Sequence, residues 1–156
     1  MVDTNVDAGS RTTQANQIVW NYALLGLAPG IVLIPWLDLV LLSGIQLKLL
    51  QRLAGLYEIP FSSQLGKSLI ASLVGAGVSA GLATYIIPVV GRFIGGASSA
   101  LLGGASTYAV GKVFIQHFDS GGTLLTFDPD KVRDYYTHQL GTGRARIAES
   151  FVGVRP

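Results

Sequence analysis

The apolar positions of this chain fall into long runs separated by short polar or proline-containing breaks. A first helix is predicted to begin with a cap at Thr12 or Thr13 and to end at residues 29–30, a Pro-Gly pair. Residues 1–11 are polar, and we expect them to be disordered. A second helix is predicted over 35–57, because Pro35 suits the first turn of a helix.

The second half of this second helix has an amphipathic pattern. Its apolar face consists of leucines at spacings of four and three, namely Leu49, Leu53 and Leu56. Its polar positions are Gln46, Lys48, Gln51 and Arg52. Asp38 is the only charge within 18–47, and we expect it to stabilise the helix N-terminus. A functional ionisable group inside a membrane is the alternative for Asp38.

Two uncharged segments predict a helical hairpin in the middle of the chain. Its helices are expected at about 64–87 and 91–118, with a reversal at Pro88 and a stop at the Ser-Gly-Gly sequence of 120–122. A bilayer is crossed by about 20 apolar residues. Both segments are therefore long enough to insert.

The hairpin helices are rich in glycine, alanine and serine at four-residue spacing. In the first helix these residues are Ser72, Gly75, Ala76, Ser79, Ala80 and Ala83. In the second they are Gly91, Gly95, Ser99, Gly103, Thr107 and Gly111. Residues four apart share a helix face, so each row forms a strip that another backbone can approach closely. We expect the two strips to face each other in a membrane-associated hairpin, and a soluble bundle with close-packed glycines is the alternative.

The remaining C-terminal segment, 123–156, predicts little regular structure beyond one short helix. Residues 123–127 favour an extended segment, and the Asp-Pro-Asp sequence of 128–130 predicts a helix over about 129–140. Gly141 and Gly143 are expected to end it. The chain is thus predicted to be all-α with four to five helices, and residues 12–122 form its membrane-associated domain.

Composition strengthens the membrane interpretation. Hydrophobic residues make up 49% of the chain and charged residues 13%, about half of the usual charged fraction. A net charge of +2 is too small to indicate nucleic acid, and the absence of cysteine excludes thiolate sites and disulfides. Basic residues flank the hairpin at Lys67 and Lys112, so both flanks are expected in the cytoplasm and the hairpin in a bacterial inner membrane. A soluble cytoplasmic protein is the alternative location.

The chemical motifs are weak. Residues 66–68 read Gly-Lys-Ser, like the end of a phosphate-binding loop, but Phe61 replaces its first glycine. His117 and His138 have no carboxylate pair at ligand spacing, and the aspartates of 128–134 are better explained by helix capping. We therefore expect no catalytic site, metal or cofactor.

Several short motifs, in order, resemble one bacterial family. They are IPWLDLVLLSGIQLKLLQRLAGLY, IIPVVGRFIGG and STYAVGKVFIQHF, and they fall within about 15–125. The chain thereby resembles domain of unknown function 697, the YcjF-like proteins that are often found with or fused to GTPase domains. The positions that match the family are Pro35, Asp38, Gln46, Tyr57, Pro88, Gly91, Thr107, Tyr108, Gly111 and Lys112. Glu58 stands where the family usually has glycine, so a different turn is expected there.

The resemblance implies a membrane-associated protein and a GTPase partner in trans. Our main hypothesis is a non-enzymatic anchor or scaffold for such a GTPase or for self-association, with membrane lipid as a partner. One alternative is a glycine-zipper pore or membrane-permeabilising oligomer. A further alternative is a soluble α-helical interaction module.

Overall fold

The computed structural model describes residues 4–28, 35–77 and 96–153, and within these ranges it contains five α-helices and no β-strand. The helices are α1 (Thr4–Leu25), α2 (Pro35–Leu56), α3 (Ser63–Gly77), α4 (Gly96–Asp119) and α5 (Arg133–Val152). The all-α prediction is confirmed.

Helix α4 lies at the centre of the bundle and packs against α1, α2 and α5. Its sequence is apolar on nearly every side, as expected for a helix that is surrounded by others. Its fully buried side chains include Ala105, Ala109, Val110, Val113 and Phe114. The Phe114 ring stacks on Phe127 with the ring centroids 4.5 Å apart, which closes the core beneath the loop between α4 and α5.

Contacts along α4 define the direction of its neighbours. Helix α1 is antiparallel to α4, because Asn16 pairs with Lys112 and Gly26 lies against Gly103. Helix α2 is parallel to α4, since its N-terminal half contacts Gly103 and its C-terminal Tyr57 reaches the end of α4. The end of α1, the start of α2 and the start of α4 therefore lie at one end of the bundle.

Helices α3 and α5 complete the bundle. Helix α3 turns back along α2, with Gly66 close to Leu47 and Leu50. Helix α5 runs antiparallel to α4, with Val132 beside Gln116 and Ile147 near Gly104. The C-termini of α3 and α5 thus point toward the end of the bundle where α2 and α4 begin.

The N-terminal helix is longer than predicted. It begins at Thr4, so the prediction of disorder does not hold for residues 4–11. Thr12 and Thr13 are not caps: their hydroxyls donate to the carbonyls four residues earlier, at 3.1 and 2.8 Å. Arg11 lies over the Tyr57 ring at 5.8 Å, so contacts with α2 support a segment that local sequence alone leaves unstructured.

The C-terminal region also differs from the prediction. Residues 123–127 form turns rather than an extended segment, with the Thr123 N–H donating to Thr126 Oγ1 at 2.9 Å. Helix α5 begins later than predicted and continues through Gly141 and Gly143 to Val152. Gly143 does not end the helix. It lies where α5 closely approaches Tyr108, since an added Cβ would lie 2.9 Å from Tyr108 Cδ1.

The turn after α2 contains Glu58, the position at which this chain has glutamate and the family usually has glycine. Glu58 has φ 58°, in the left-handed region that glycine adopts without strain. The Ile59 N–H donates to the Ala54 carbonyl at 2.8 Å and the Glu58 N–H to the Gly55 carbonyl at 3.3 Å, which is a Schellman ending. The end of α4 uses the same geometry with Gly121 at φ 81°. The turn is therefore the one that glycine favours, although glutamate occupies it.

We predict that Glu58→Gly raises the free energy of unfolding by about 1 kcal/mol, because it removes the left-handed strain at a helix end. Chemical denaturation monitored by circular dichroism measures this change. Glu58→Gln is the matched control, since it removes the charge and keeps the Cβ. Equal stabilisation by both substitutions would contradict the strain argument.

Candidate functional site

The small-residue strip of α4 is covered by α1 of the same chain. An added Cβ at Gly103 would lie 2.5 Å from the Gly26 carbonyl oxygen, and one at Gly111 would lie 2.7 Å from Val19 Cγ1. Thr107 lies between them, fully buried, with its hydroxyl donating to the Gly103 carbonyl at 2.8 Å. The strip thus permits backbone approach, and the element that approaches is α1.

The strip predicted on the preceding helix has a different environment. Ser72 and Gly75 are exposed, and no atom of residues 4–28, 35–77 or 96–153 lies within 4 Å of a Cβ added at Gly75. At Gly103 and Gly111, the described glycines of the α4 strip, the nearest neighbours are Gly26 and Val19 and not these two residues. Ala76 lies at the end of α3 and Ser99 in the first turn of α4. The remaining predicted packing residues lie outside the described ranges: Ser79, Ala80, Ala83, Gly91 and Gly95.

We predict that Gly111→Ala lowers the free energy of unfolding by about 2 kcal/mol, because the new methyl group overlaps Val19. The matched control is Gly44→Ala in α2, where no described residue lies within 4 Å of the added Cβ and alanine favours the helix. Denaturation midpoints of both variants measure the difference. In a Val19→Ala background Gly111→Ala should cost much less, and an unchanged cost would contradict the proposed contact.

A buried polar chain connects three helices at the level of Ser106. The Gln46 side-chain amide donates to Ser106 Oγ at 3.1 Å, and Ser106 Oγ is 3.1 Å from the Tyr136 hydroxyl. Gln46 is only 3% exposed, although its position in the sequence groups it with the polar residues of α2. Burial raises the pKa of Tyr136, and the hydrogen bond to Ser106 opposes that rise. The chain fixes the register of α2, α4 and α5 and satisfies the polar groups it buries.

A second polar contact lies at the C-terminal end of α4. The Tyr57 hydroxyl donates to Asp119 Oδ1 at 2.7 Å, and Thr12 Oγ1 lies 3.4 Å from the same oxygen. Burial, followed by the bond to Asp119 and its negative charge, raises the pKa of Tyr57 to about 12. Tyr57 and Asp119 therefore connect the C-termini of α2 and α4.

We predict that Tyr57 ionises near pH 12 and that Asp119→Asn moves this transition toward the ordinary value of 10.0. The pKa is raised in the folded protein, so the contribution of this contact to stability is complete below pH 10 and disappears as the pH approaches 12. The tyrosinate absorbance of the wild type minus that of Tyr57→Phe measures the transition. An identical titration in the Asp119→Asn variant would contradict the assigned contact.

Helices α1, α4 and α5 form a groove with a volume of about 720 Å³. Its lining is polar and aromatic with two cations: Thr13, Asn16, Gln17, Trp20, Asn21, Tyr108, Lys112 and Arg146. Tyr108 and Lys112 are four residues apart on α4 and so share a face. Both match the family pattern, and the fold brings them beside Trp20 and Arg146, neither of which the sequence analysis identified.

The side chains of the groove hold one another in position. Lys112 Nζ donates to Asn16 Oδ1 at 2.7 Å, and Arg146 Nη1 donates to the Tyr108 hydroxyl at 3.1 Å. The Arg146 guanidinium lies 5.5 Å from the Trp20 ring centroid, and Trp20 meets Tyr108 edge-on with the centroids 6.4 Å apart. Among the described residues that line the groove, none is acidic. Within the described part of the chain, neither cation forms an ion pair.

The histidine and aspartate positions considered for metal binding serve the loop between α4 and α5. His117 Nε2 lies 2.8 Å from the Thr123 carbonyl oxygen. Asp128 accepts from the Asp130 N–H at 3.1 Å, and Asp130 pairs with Arg133 at 2.7 Å. Among residues 4–28, 35–77 and 96–153, no three potential ligands are grouped to hold a metal ion.

One end of the bundle exposes large apolar side chains. They lie at the end of α1, near the start of α2 and at the end of α5: Leu24, Leu25, Val40, Leu41, Phe151 and Val152. We call this surface the apolar end. The only charge in the sequence between Arg11 and Lys48 is Asp38, in the first turn of α2, which begins at Pro35. The opposite end carries the ionic side chains Arg11, Glu58 and Asp119, together with the acidic and basic residues that begin α5.

Within the described ranges, none of the helices combines the length and apolar character needed to cross a bilayer. The predicted hairpin reversal at Pro88, the second part of the first uncharged segment and the start of the second fall within 78–95, outside those ranges.

Comparison with known proteins identifies the family. The model of domain of unknown function 697 matches residues 5–143, nearly the whole chain. The chain belongs to this family. It is also similar to magnetosome membrane protein 22 of Magnetospirillum gryphiswaldense, with 38% identity over 150 residues that cover 92% of this chain and 77% of the relative. No solved structure matches the chain.

Membership gives the family positions a physical interpretation. The motif STYAVGK covers residues 106–112, and its members contact three different helices. Ser106 binds Gln46 of α2, Thr107 and Gly111 lie against α1, and Tyr108 meets Arg146 of α5. The motif therefore serves to pack helices together. Its Gly-Lys ending, taken alone, resembles the end of a nucleotide-binding loop.

Proposed function

We propose that this member of the domain of unknown function 697 family is a non-enzymatic, membrane-associated helical scaffold. Its apolar end contacts lipid and its charged end faces the cytoplasm. The observation that carries the proposal is the concentration of exposed apolar side chains at one end of the bundle. Leu25 and Val40, 51% and 68% exposed, represent this surface on α1 and α2.

The arrangement of charge supports contact with a membrane through that end. The sequence 12–37 has no charged residue, and the sequence 78–95 contains one, Arg92. Exposed apolar side chains lose little by entering lipid, whereas ionic groups remain in water. The basic residues near the other end favour its cytoplasmic placement at a bacterial inner membrane. The relative from Magnetospirillum, named as a membrane protein, supports the same location.

The reactive side chains make contacts between helices, and this favours a scaffold role over catalysis. Ser106 and Tyr136 bind each other inside the bundle, and Tyr57 and Asp119 connect two helix ends. Each is thereby engaged in holding helices together. As the finer part of the proposal, the charged end offers a cytoplasmic surface for a GTPase in trans or for another copy of the chain.

The glycine-zipper pore is less well supported than the scaffold. Gly103 and Gly111 lie against α1, so these glycines are occupied within one chain. Replacing Gly103 with leucine would disrupt the fold itself, since even a Cβ would lie 2.5 Å from the Gly26 carbonyl oxygen. Such a substitution does not report on assembly.

We predict that Leu25→Glu combined with Val40→Glu reduces association with neutral phosphatidylcholine vesicles at least about tenfold, because two exposed apolar contacts are replaced by charges. Flotation of the full chain with vesicles measures the bound fraction. Circular dichroism verifies that the variant is folded.

Leu125→Glu is the control for this experiment. Leu125 is 86% exposed in the loop at the opposite end, so the same chemical change there should leave flotation unaltered. Full flotation of a folded double variant would contradict contact through the apolar end. Failure of the wild-type chain to float would contradict membrane association altogether.

A further inference from the structure

We propose that the groove between α1, α4 and α5 is a binding site for a phosphate group, held by Lys112 and Arg146. The inference goes beyond the membrane role, because the groove lies on the side of the bundle and its chemistry differs from that of the apolar end. It assigns a ligand class to two residues that have no acidic partner within the described part of the chain.

Within the described residues, each of the two cations donates one side-chain hydrogen bond. An ammonium group has three N–H donors, and Lys112 uses one of them in its hydrogen bond to Asn16. A guanidinium group has five N–H donors, and Arg146 uses one of them in its hydrogen bond to the Tyr108 hydroxyl. Charge-assisted donors of this kind recognise phosphate oxygens.

The groove is prearranged for such a ligand. Lys112 is half-buried and is oriented by the amide of Asn16. Arg146 is exposed, and its guanidinium contacts the Tyr108 hydroxyl and the Trp20 ring. Fixed donors lose less side-chain entropy on binding than free surface lysines and arginines do. A volume of about 720 Å³ accommodates a phosphate together with the group that carries it.

The lining also defines what else the ligand carries. Thr13, Gln17 and Asn21 are exposed on the α1 wall and offer neutral hydrogen-bonding groups, which suit hydroxyls next to a phosphate. Asn21 lies one turn of α1 before Leu25, so the groove leads toward the apolar end. A phosphoglycerol group fits this arrangement, either as a lipid headgroup or as a soluble molecule.

Trp20 provides a direct reporter of occupancy. The chain has two tryptophans, Trp20 and Trp36, so Trp36→Phe leaves the groove tryptophan as the only indole. In this background the full chain is titrated with glycerol 3-phosphate, with neutral phosphatidylcholine vesicles and with vesicles that also contain phosphatidylglycerol. Trp20 fluorescence is read in each titration.

We expect Lys112→Gln with Arg146→Gln to weaken phosphate-dependent binding at least about tenfold, because two charge-assisted contacts are lost. The control pair is Lys48→Gln with Arg52→Gln, which removes the same charge from an exposed face of α2. The pair Lys112→Arg and Arg146→Lys keeps both charges and should bind. If the Lys112→Gln, Arg146→Gln variant unfolds, this charge-preserving pair still tests the site.

Each outcome has a defined meaning. A Trp20 response to glycerol 3-phosphate identifies a soluble phosphate ligand, and a response to the anionic vesicles alone identifies a lipid headgroup; both support the site. No response to either ligand, or equal losses in the groove and control pairs, overturns it. The membrane proposal is tested separately by neutral vesicles, to which the Lys112→Gln, Arg146→Gln variant should still float.

Discussion

The contact of α1 with α4 is the constraint on which the other features depend. At Gly103 and Gly111 the two helices approach so closely that a single methyl group on α4 would overlap the Gly26 backbone or the Val19 side chain. Glycine inside a helix costs about 1 kcal/mol relative to alanine. Here that cost is offset by a backbone contact that larger residues prevent.

This close approach places the polar connections. With α1 held against α4, Asn16 reaches Lys112 and Trp20 meets Tyr108, so the groove exists only when the two helices are in this register. On the other sides of α4, Ser106 joins α2 to α5 through Gln46 and Tyr136. One short motif therefore organises the core and one wall of the groove.

The bundle that results has two distinct surfaces. Its apolar end exposes leucine, valine and phenylalanine where three helices end or begin, and its side carries a groove lined by two cations, Lys112 and Arg146. The first surface suits contact with lipid and the second suits a phosphate group. Both are consistent with the membrane association proposed above.

Local patterns in the sequence determined the helical class, the Ser-Gly-Gly stop after α4 and the presence of a strip of small residues along it. These follow from spacing, capping and glycine geometry, which act within a few residues. The partner of the strip was decided by tertiary structure, because a smooth face accepts any helix that reaches it. Tertiary contacts also decided the early start of α1, the passage of α5 through Gly143 and the burial of Gln46. The groove arose in the same way: Trp20, Lys112 and Arg146 are far apart in the chain, and only the packing of three helices places them together.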